Sequence, residues 1–444
     1  MRDNPYITIL LGFAVVIILG TVVLSLPAST VDGRGLPLDD AFFIATSATC
    51  VTGLSTVVIG KILTPMGQGV LLAMIQVGGL GLMTLSTFFG LLLGIHPRIQ
   101  NRIVIKEALN QVEEFHIKHL IWRIILYTLG METAGAIIFA ARTGLGDDPM
   151  RGIFSAVFHS VSAFCNAGFT LYSDSLSAFR FDPVINVTVM VLVVGGGIGF
   201  WVIYGFYESF KSRIRGDVIH PSSLQTQVVV RMTAALILIG TILFMVLEGS
   251  RSGASGLDLF WISAFQSVTT RTAGFNTVDI ASLSFPTLIW IMAWMFIGAS
   301  PGSTGGGVKT TTFAVMLASM RAVLTGREKV ELRKRTLPET VVRRAHAVFL
   351  ASIGWVFVAV FALSMIGVAG GASTFLPILF ETISAFGTVG LSMGLTTSLT
   401  VAGKVILSLT MFAGRVGPLS LILALAQKPD RAQIVYPEQQ LPIG

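Results

Sequence analysis

Four times along this chain a Ser/Thr-rich segment runs into a single glycine followed by Leu or Phe and then a small polar residue. The segments are TSATCVTGLS (46–55), HSVSAFCNAGFT (159–170), QSVTTRTAGFN (266–276) and ETISAFGTVGLS (381–392). Their glycines, Gly53, Gly168, Gly274 and Gly390, are separated by 115, 106 and 116 residues. Such a period means one supersecondary unit written four times, each copy burying surface against its neighbours. Before each segment lies an amphipathic stretch of about three turns, at 38–48, 150–163, 257–269 and 374–384, and long apolar runs flank the unit on both sides.

Composition identifies the solvent that this unit faces. With 53% apolar and only 12% charged residues among 444 and a mean hydropathy of +0.80, the chain carries about half the charged share of a soluble domain. It reads as an integral membrane protein whose outer faces meet lipid. Runs long enough to cross a bilayer occur at 7–26, 184–204, 232–247, 347–368 and 405–425. The 7–26 run is too long for the apolar core of a cleavable signal, and more membrane segments follow it. The amphipathic stretches are too short to span, so each is expected to be a re-entrant half-helix. The expected fold is all-α: four pseudo-repeats of span, half-helix, glycine turn and span around a central pore. The repeats are placed at 1–95, 96–215, 216–325 and 326–427, with a cytoplasmic tail at 428–444.

The net charge of +7 reports topology rather than nucleic acid binding. Basic residues concentrate at 96–123, 208–231 and 321–344, whereas the opposite connections hold Asp32, Asp39, Asp40, Asp147, Asp148, Asp174 and Asp182. By the positive-inside rule the basic connections are cytoplasmic, and both termini are expected on that side. The two cysteines, Cys50 and Cys165, lie in apolar segments and can build neither a disulfide framework nor a zinc site.

Each second span carries a glycine cluster: GGLGL (78–82), GGGIGF (195–200), GGGVKT (305–310) and AGRVGP (413–418), centred on Leu80, Ile198, Val308 and Val416. The third copy holds extra residues ahead of its cluster, within GASPGSTGGGVKTTTF (298–313). That stretch is one residue away from a Walker loop, because Val308 separates Gly307 from Lys309-Thr310. Pro and repeated Gly cannot sustain a helix. The third second span is therefore expected to be broken, and the other three to be uninterrupted. Aligned clusters place Lys309 opposite Gly81 and Gly199, and Arg415 opposite Gly79 and Gly197.

Non-helical backbone at membrane depth is tolerated where it lines a wet cavity or is buried in protein. Four equivalent turns facing one axis meet that condition, and their carbonyls can replace the hydration shell of a monovalent cation. Glycine at one fixed place supplies dihedrals closed to L-residues, and the negative C-terminal ends of four half-helices add attraction for a cation.

On these four turns and the glycine-rich third span, nearly the whole chain resembles the Trk/Ktr/HKT superfamily of potassium transporters, in which one chain carries four reduced copies of a potassium-channel pore unit. It looks most like the membrane subunit of bacterial Ktr systems, since it opens almost directly on its first span. The resemblance implies uptake of K+ down its electrochemical gradient. The filter would be Val51, Thr52 and Gly53, Asn166, Ala167 and Gly168, Thr272, Ala273 and Gly274, and Thr388, Val389 and Gly390. It implies a homodimer in a bacterial plasma membrane, regulated by a cytosolic ring of RCK-type subunits that bind ATP or ADP. Some plant relatives that favour sodium have Ser at the first filter glycine, so four glycines resemble the potassium-selecting members; sodium as an activator stays open. Beneath the filter, Ser300, Gly302, Ser303, Thr304, Gly305, Gly306 and Gly307 suit an intramembrane gate. Arg415 is expected to latch its carbonyls, and Lys309 to repel ions when it is shut.

Two other readings compete. The broken helix at 300–307 also suits a Na+-permeable or Na+-coupled carrier with alternating access, although such carriers break helices in both halves. An enzyme finds little support: Glu132, Glu248, Lys309 and Arg415 form no acid/base pair or metal-ligand spacing, and the six histidines are scattered, His159 reading as a cap or packing group. No organic cofactor is expected. Arg271, just before the third turn, should pair with an acid or with carbonyls, and Glu381 and Asp279 are the candidates.

Overall fold

A computed structural model describes residues 5–81, 117–144, 146–215, 223–251, 253–254, 256–366 and 375–417. The expected repeat boundary at 95/96, most of the basic 96–123 segment, the end of the 405–425 run and the 428–444 tail lie outside the described residues.

The protein is an all-α membrane fold of four pseudo-repeats. Their first helices are Pro5–Leu24, Ile117–Thr143, Leu224–Glu248 and Glu339–Ile366. At 1.5 Å per residue, each is about long enough to cross a hydrocarbon core of about 30 Å. The half-helices follow at Leu38–Thr49, Pro149–Phe164, Gly256–Thr269 and Phe375–Gly387. They start where the sequence supplies N-terminal signals. Asp39 and Asp40 fill the first turn of half-helix 1, complementing its dipole. Asp148 caps half-helix 2, accepting from the N–H groups of Met150 and Arg151 ahead of Pro149 at the first position.

Second helices begin with a repeated device. Thr64, Asp182 and Thr400 each cap a helix through a side-chain oxygen, and Ser284 stands at the same place in the third copy. The helices run Pro65–Leu80, Pro183–Gly197, Phe285–Phe296 and Val401–Val416. Three press a glycine against a C-terminal carbonyl of their own half-helix: Gly78 on Thr49, Gly196 on Phe164 and Gly414 on Phe386, so close that a Cβ would collide with the oxygen. Lys404, at the start of the fourth second helix, reaches Asp39 Oδ2 at 2.7 Å and Asp40 Oδ1 at 2.6 Å, which closes the last repeat on the first.

One expectation is corrected. The 184–204 run is not a single span: helix Pro183–Gly197 gives way to Phe200–Arg215, and the two are bent by 96°. Gly199, at φ +95°, makes the corner. Helix 1 of this type also stops at Gly81 (φ +81°) and helix 4 at Gly417 (φ +91°). In three copies the helix therefore ends at its glycine cluster, where a glycine of positive φ stands that an α-helix cannot contain. The third copy has a longer break than the second, with the helix resuming at Thr310–Leu324.

Beyond that helix, a two-stranded antiparallel hairpin pairs Glu331–Leu332 with Arg335–Thr336. It displays part of the exposed basic 321–344 connection.

Candidate functional site

Each half-helix ends in a turn with a shared backbone pattern. Val51, Asn166, Thr272 and Thr388, two residues before the glycines, have φ of +57°, +59°, +69° and +48°. Gly53, Gly168, Gly274 and Gly390 follow at +95°, +69°, +77° and +91°. Thr52, Ala167, Ala273 and Val389 stand between two left-handed residues, an alternation that turns successive carbonyls toward one side. In three turns the N–H of this middle residue bonds back to a serine carbonyl: Thr52 to Ser47 (2.8 Å), Ala167 to Ser162 (2.7 Å) and Val389 to Ser384 (2.8 Å). In the third turn Ala273 N bonds to Thr269 O at 3.0 Å, one residue nearer in sequence.

The turns form a closed ring. A Cβ on Gly53 would meet the Ala167 carbonyl, on Gly168 that of Ala273, on Gly274 that of Val389, and on Gly390 that of Thr52. The twelve residues expected as the filter thus come together in cyclic order, with the carbonyl before each glycine against the glycine of the preceding repeat. Cross-links hold the ring from behind. Asn166 accepts from the Thr272 hydroxyl at 3.1 Å when its amide nitrogen faces the Val193 and Ala163 carbonyls.

The 297–309 loop lies directly against this ring. Gly305 abuts Thr272 and Gly306 abuts Thr388, in each case leaving no room for a Cβ, and Gly306 N donates to Thr388 Oγ1 at 2.9 Å. Gly298 N bonds to Val308 O (2.9 Å) and Gly307 N to Gly414 O (3.1 Å). On its other side the loop satisfies the corner of repeat 2: Ser300 N to Gly197 O (3.1 Å), Thr304 N to Gly196 O (3.2 Å) and Phe200 N to Gly302 O (2.9 Å). Ser303 Oγ donates to Ser300 O at 2.6 Å, holding the loop's tip.

Both expected cations meet the loop. Lys309 Nζ donates to Gly305 O at 2.7 Å. Arg415 donates through Nη1 to Thr304 O and through Nη2 to Gly78 O, with Gly79 O at 3.4 Å. Its guanidinium fork, with five donors in one plane, therefore bridges the loop of repeat 3 to the glycine cluster of repeat 1. The repeat 1 carbonyls gave no signal in the sequence, because any residue carries one.

Arg271 does not take either acid proposed for it. Glu381 is wholly buried and accepts from the hydroxyls of Ser392 and Thr396, and Asp279 caps a short 3-10 turn through Ala281 N. Arg271 is buried, its Nε has no hydrogen-bond partner, and it borders a small cavity with Gly197, Ile198, Thr233 and Ala299. His159 packs as expected, stacked on Tyr172 with ring centroids 4.5 Å apart. Glu132 lies behind the second turn, where Gln76 Nε2 donates to it at 3.3 Å. No group of three or more His, Cys, Asp or Glu side chains is placed to hold a metal ion among the described residues.

Comparison with known proteins agrees with this architecture. The TrkH family, described as cation transport protein, matches residues 6–435. The Ktr system potassium uptake protein B of Bacillus subtilis (strain 168) is 38% identical over 448 residues, covering 100% of this chain and 98% of the relative. The potassium/sodium uptake protein NtpJ of Enterococcus hirae is 35% identical over 454 residues, covering 100% and 98%. The crystal structure of the potassium transporter TrkH from Vibrio parahaemolyticus shares the fold with a TM-score of 0.75, covering 96% of this chain and 85% of that one at 19% identity.

Proposed function

The chain belongs to the TrkH family of cation transport proteins, and from that premise we propose that it is the membrane subunit of a potassium-uptake system, with the four-turn ring as its filter and the 298–309 loop as its gate. The observation that carries this reading is the closed ring of left-handed turns, the same two backbone positions being inverted in every copy. Carbonyls of Val51, Thr52, Asn166, Ala167, Thr272, Ala273, Thr388 and Val389 would replace the water around K+, and the four half-helix C-termini would favour the cation there. With a polar residue in place of a second filter glycine in each copy (Ser55, Thr170, Asn276, Ser392), fewer tight sites are expected than in a TVGYG filter.

In this reading the loop occludes the path below the ring, with Arg415 as its latch and Lys309 as a fixed positive charge that repels a dehydrated cation. Opening requires Thr304 to leave Arg415. Control would come from a cytosolic nucleotide-binding ring of RCK type on the basic connections, acting on a homodimer in the plasma membrane with both termini inside. The B. subtilis relative is named as part of a Ktr system for potassium, which supports a multi-component assembly.

A second reading has its own support. Helix breaks occur in both halves of the chain, at 198–199 and 297–309, as in alternating-access carriers, and one relative is named for potassium and sodium. Purified protein in liposomes separates the two. The pore reading expects K+ flux that rises steadily with the K+ gradient, needs no Na+ gradient and is lost to Na+ by small turn substitutions. Flux that saturates at carrier rates and requires opposing or accompanying Na+ would reject it.

A further inference from the structure

Each half-helix has one position, three residues before the Ser or Thr whose carbonyl anchors the turn, that in three copies bonds back to its own outgoing chain. Counted from Ser47, Ser162, Thr269 and Ser384, these residues are Ile44, His159, Gln266 and Glu381. All four are buried, at most 1% exposed. Counting from the turn glycines would put Phe265 in the third place, but that turn is one residue shorter.

Three of the four brace the segment that leaves the ring. His159 Nδ1 donates to Ser155 O at 2.7 Å, and its Nε2 accepts from Leu171 N at 3.2 Å, which fixes the neutral tautomer. Gln266 Nε2 donates to Thr277 Oγ1 at 3.4 Å. Glu381 accepts from the Ser392 hydroxyl and from Thr396 Oγ1 at 3.0 Å. Leu171 and Thr277 each stand three residues after their glycine, and Ser392 stands two after Gly390. The corresponding residue of repeat 1 is Thr56, whose buried hydroxyl has no hydrogen-bond partner, and the residue at the half-helix position of that repeat is the hydrocarbon Ile44, which has no hydrogen-bonding group to offer.

We propose that His159, Gln266 and Glu381 are positioning residues that hold three turns of the ring rigid, and that the missing brace between Ile44 and Thr56 leaves the first turn compliant, making it the weak point in discrimination between K+ and Na+. This rests on the reading of the ring as the ion filter. A ring that must hold its carbonyls apart for a larger ion loses preference when one wall can close in on a smaller one, so each brace acts on selectivity through the backbone rather than by touching the ion.

Two measurements test it independently. Backbone hydrogen exchange on the purified protein should show the 53–57 segment exchanging faster than 274–278, and Ile44→Gln, which gives Thr56 the partner that Thr277 has, should slow it. Liposome flux should show the K+/Na+ ratio falling about three- to tenfold for Glu381→Ala and His159→Leu, the equivalent of one lost hydrogen bond. His159→Gln should preserve the ratio, because glutamine is the brace of repeat 3, and Ile44→Gln should raise it. Equal exchange of the two segments in the wild type, or an unchanged ratio in folded Glu381→Ala and Ile44→Gln, overturns the proposal. Faster exchange at 53–57 in a protein that passes no K+ would instead count against the filter reading while upholding the compliant turn.

Discussion

Lys404 donates to Asp40 Oδ1 at 2.6 Å, so a residue of the last repeat is held by a residue of the first, 364 positions earlier in the chain. A ring of four units needs such a closing contact, since neighbours in sequence are joined by the chain and the ends are not. Asp39 shares the same ammonium at 2.7 Å. Replacing Lys404 by Met should cost about 1–2 kcal/mol of stability, less than a fully buried pair because Asp39 keeps 28% of its side chain exposed. A lower Tm in detergent checks this; an unchanged Tm would mean that solvent already screens the pair. The contact also sets an acid limit. The hydrogen bond from Lys404 holds Asp39 below the usual carboxylate range. A depressed carboxylate stabilises above its unfolded value, about 3.9, and that contribution is lost as pH falls through the folded value. The wild type should therefore lose it below about pH 4, and Lys404→Met should show no such loss.

Arg415 joins the loop of repeat 3 to the cluster of repeat 1 by charge-assisted hydrogen bonds to Thr304 and Gly78 carbonyls. Such bonds are worth about 1.5–3 kcal/mol each. Arg415→Ala should then raise basal K+ flux about tenfold or more in liposomes without any partner subunit, with Arg415→Lys in between because an ammonium cannot reproduce the planar fork. Basal flux equal to wild type would remove the latch.

How much of this was readable in advance depends on whether the backbone demanded a particular residue. The turns showed themselves because the last left-handed position is filled by glycine in all four copies. The first left-handed position did not, since it is filled by Val51, Asn166, Thr272 and Thr388, three side-chain types in four copies. The half-helices were legible from their length and their polar starts. The corner at Gly199 was not: glycines within an apolar run also serve for close helix packing, and the partners that satisfy the broken backbone, Gly302 and Ser300, come from another repeat. Arg415 could be placed at the right depth by alignment, but not its second partner, a carbonyl of repeat 1.

Gly53 tests the ring itself. At φ +95° a serine would be strained before it touched anything, and its Cβ would press on the Ala167 carbonyl and the Gly168 Cα. Left-handed backbone costs an L-residue about 1–2 kcal/mol. The turn should relax by withdrawing its carbonyls, lowering the K+/Na+ flux ratio about tenfold. Equal relative fluxes of the two ions before and after Gly53→Ser would take this turn out of the filter.

Removing residues 300–305 tests the gate, and the structure adds a consequence that a sequence alignment would not predict. The deletion takes away the Thr304 carbonyl that Arg415 holds and the Gly305 backbone that abuts Thr272, so the path below the ring should open and K+ uptake should rise. It also strips the corner of repeat 2 of three bonds: those from Ser300 N to Gly197 O, from Thr304 N to Gly196 O and from Phe200 N to Gly302 O. Buried backbone groups left without partners cost about 1–3 kcal/mol each, so the variant should melt earlier than the wild type even as it conducts more. Flux normalised to monodisperse protein keeps the two effects apart. Higher normalised flux with weaker control by a co-expressed cytosolic partner is the expected result, because a gate that has been removed cannot be held shut from outside. Equal or lower flux from well-folded protein would assign the loop to holding repeat 2 in shape and take the gate away from it.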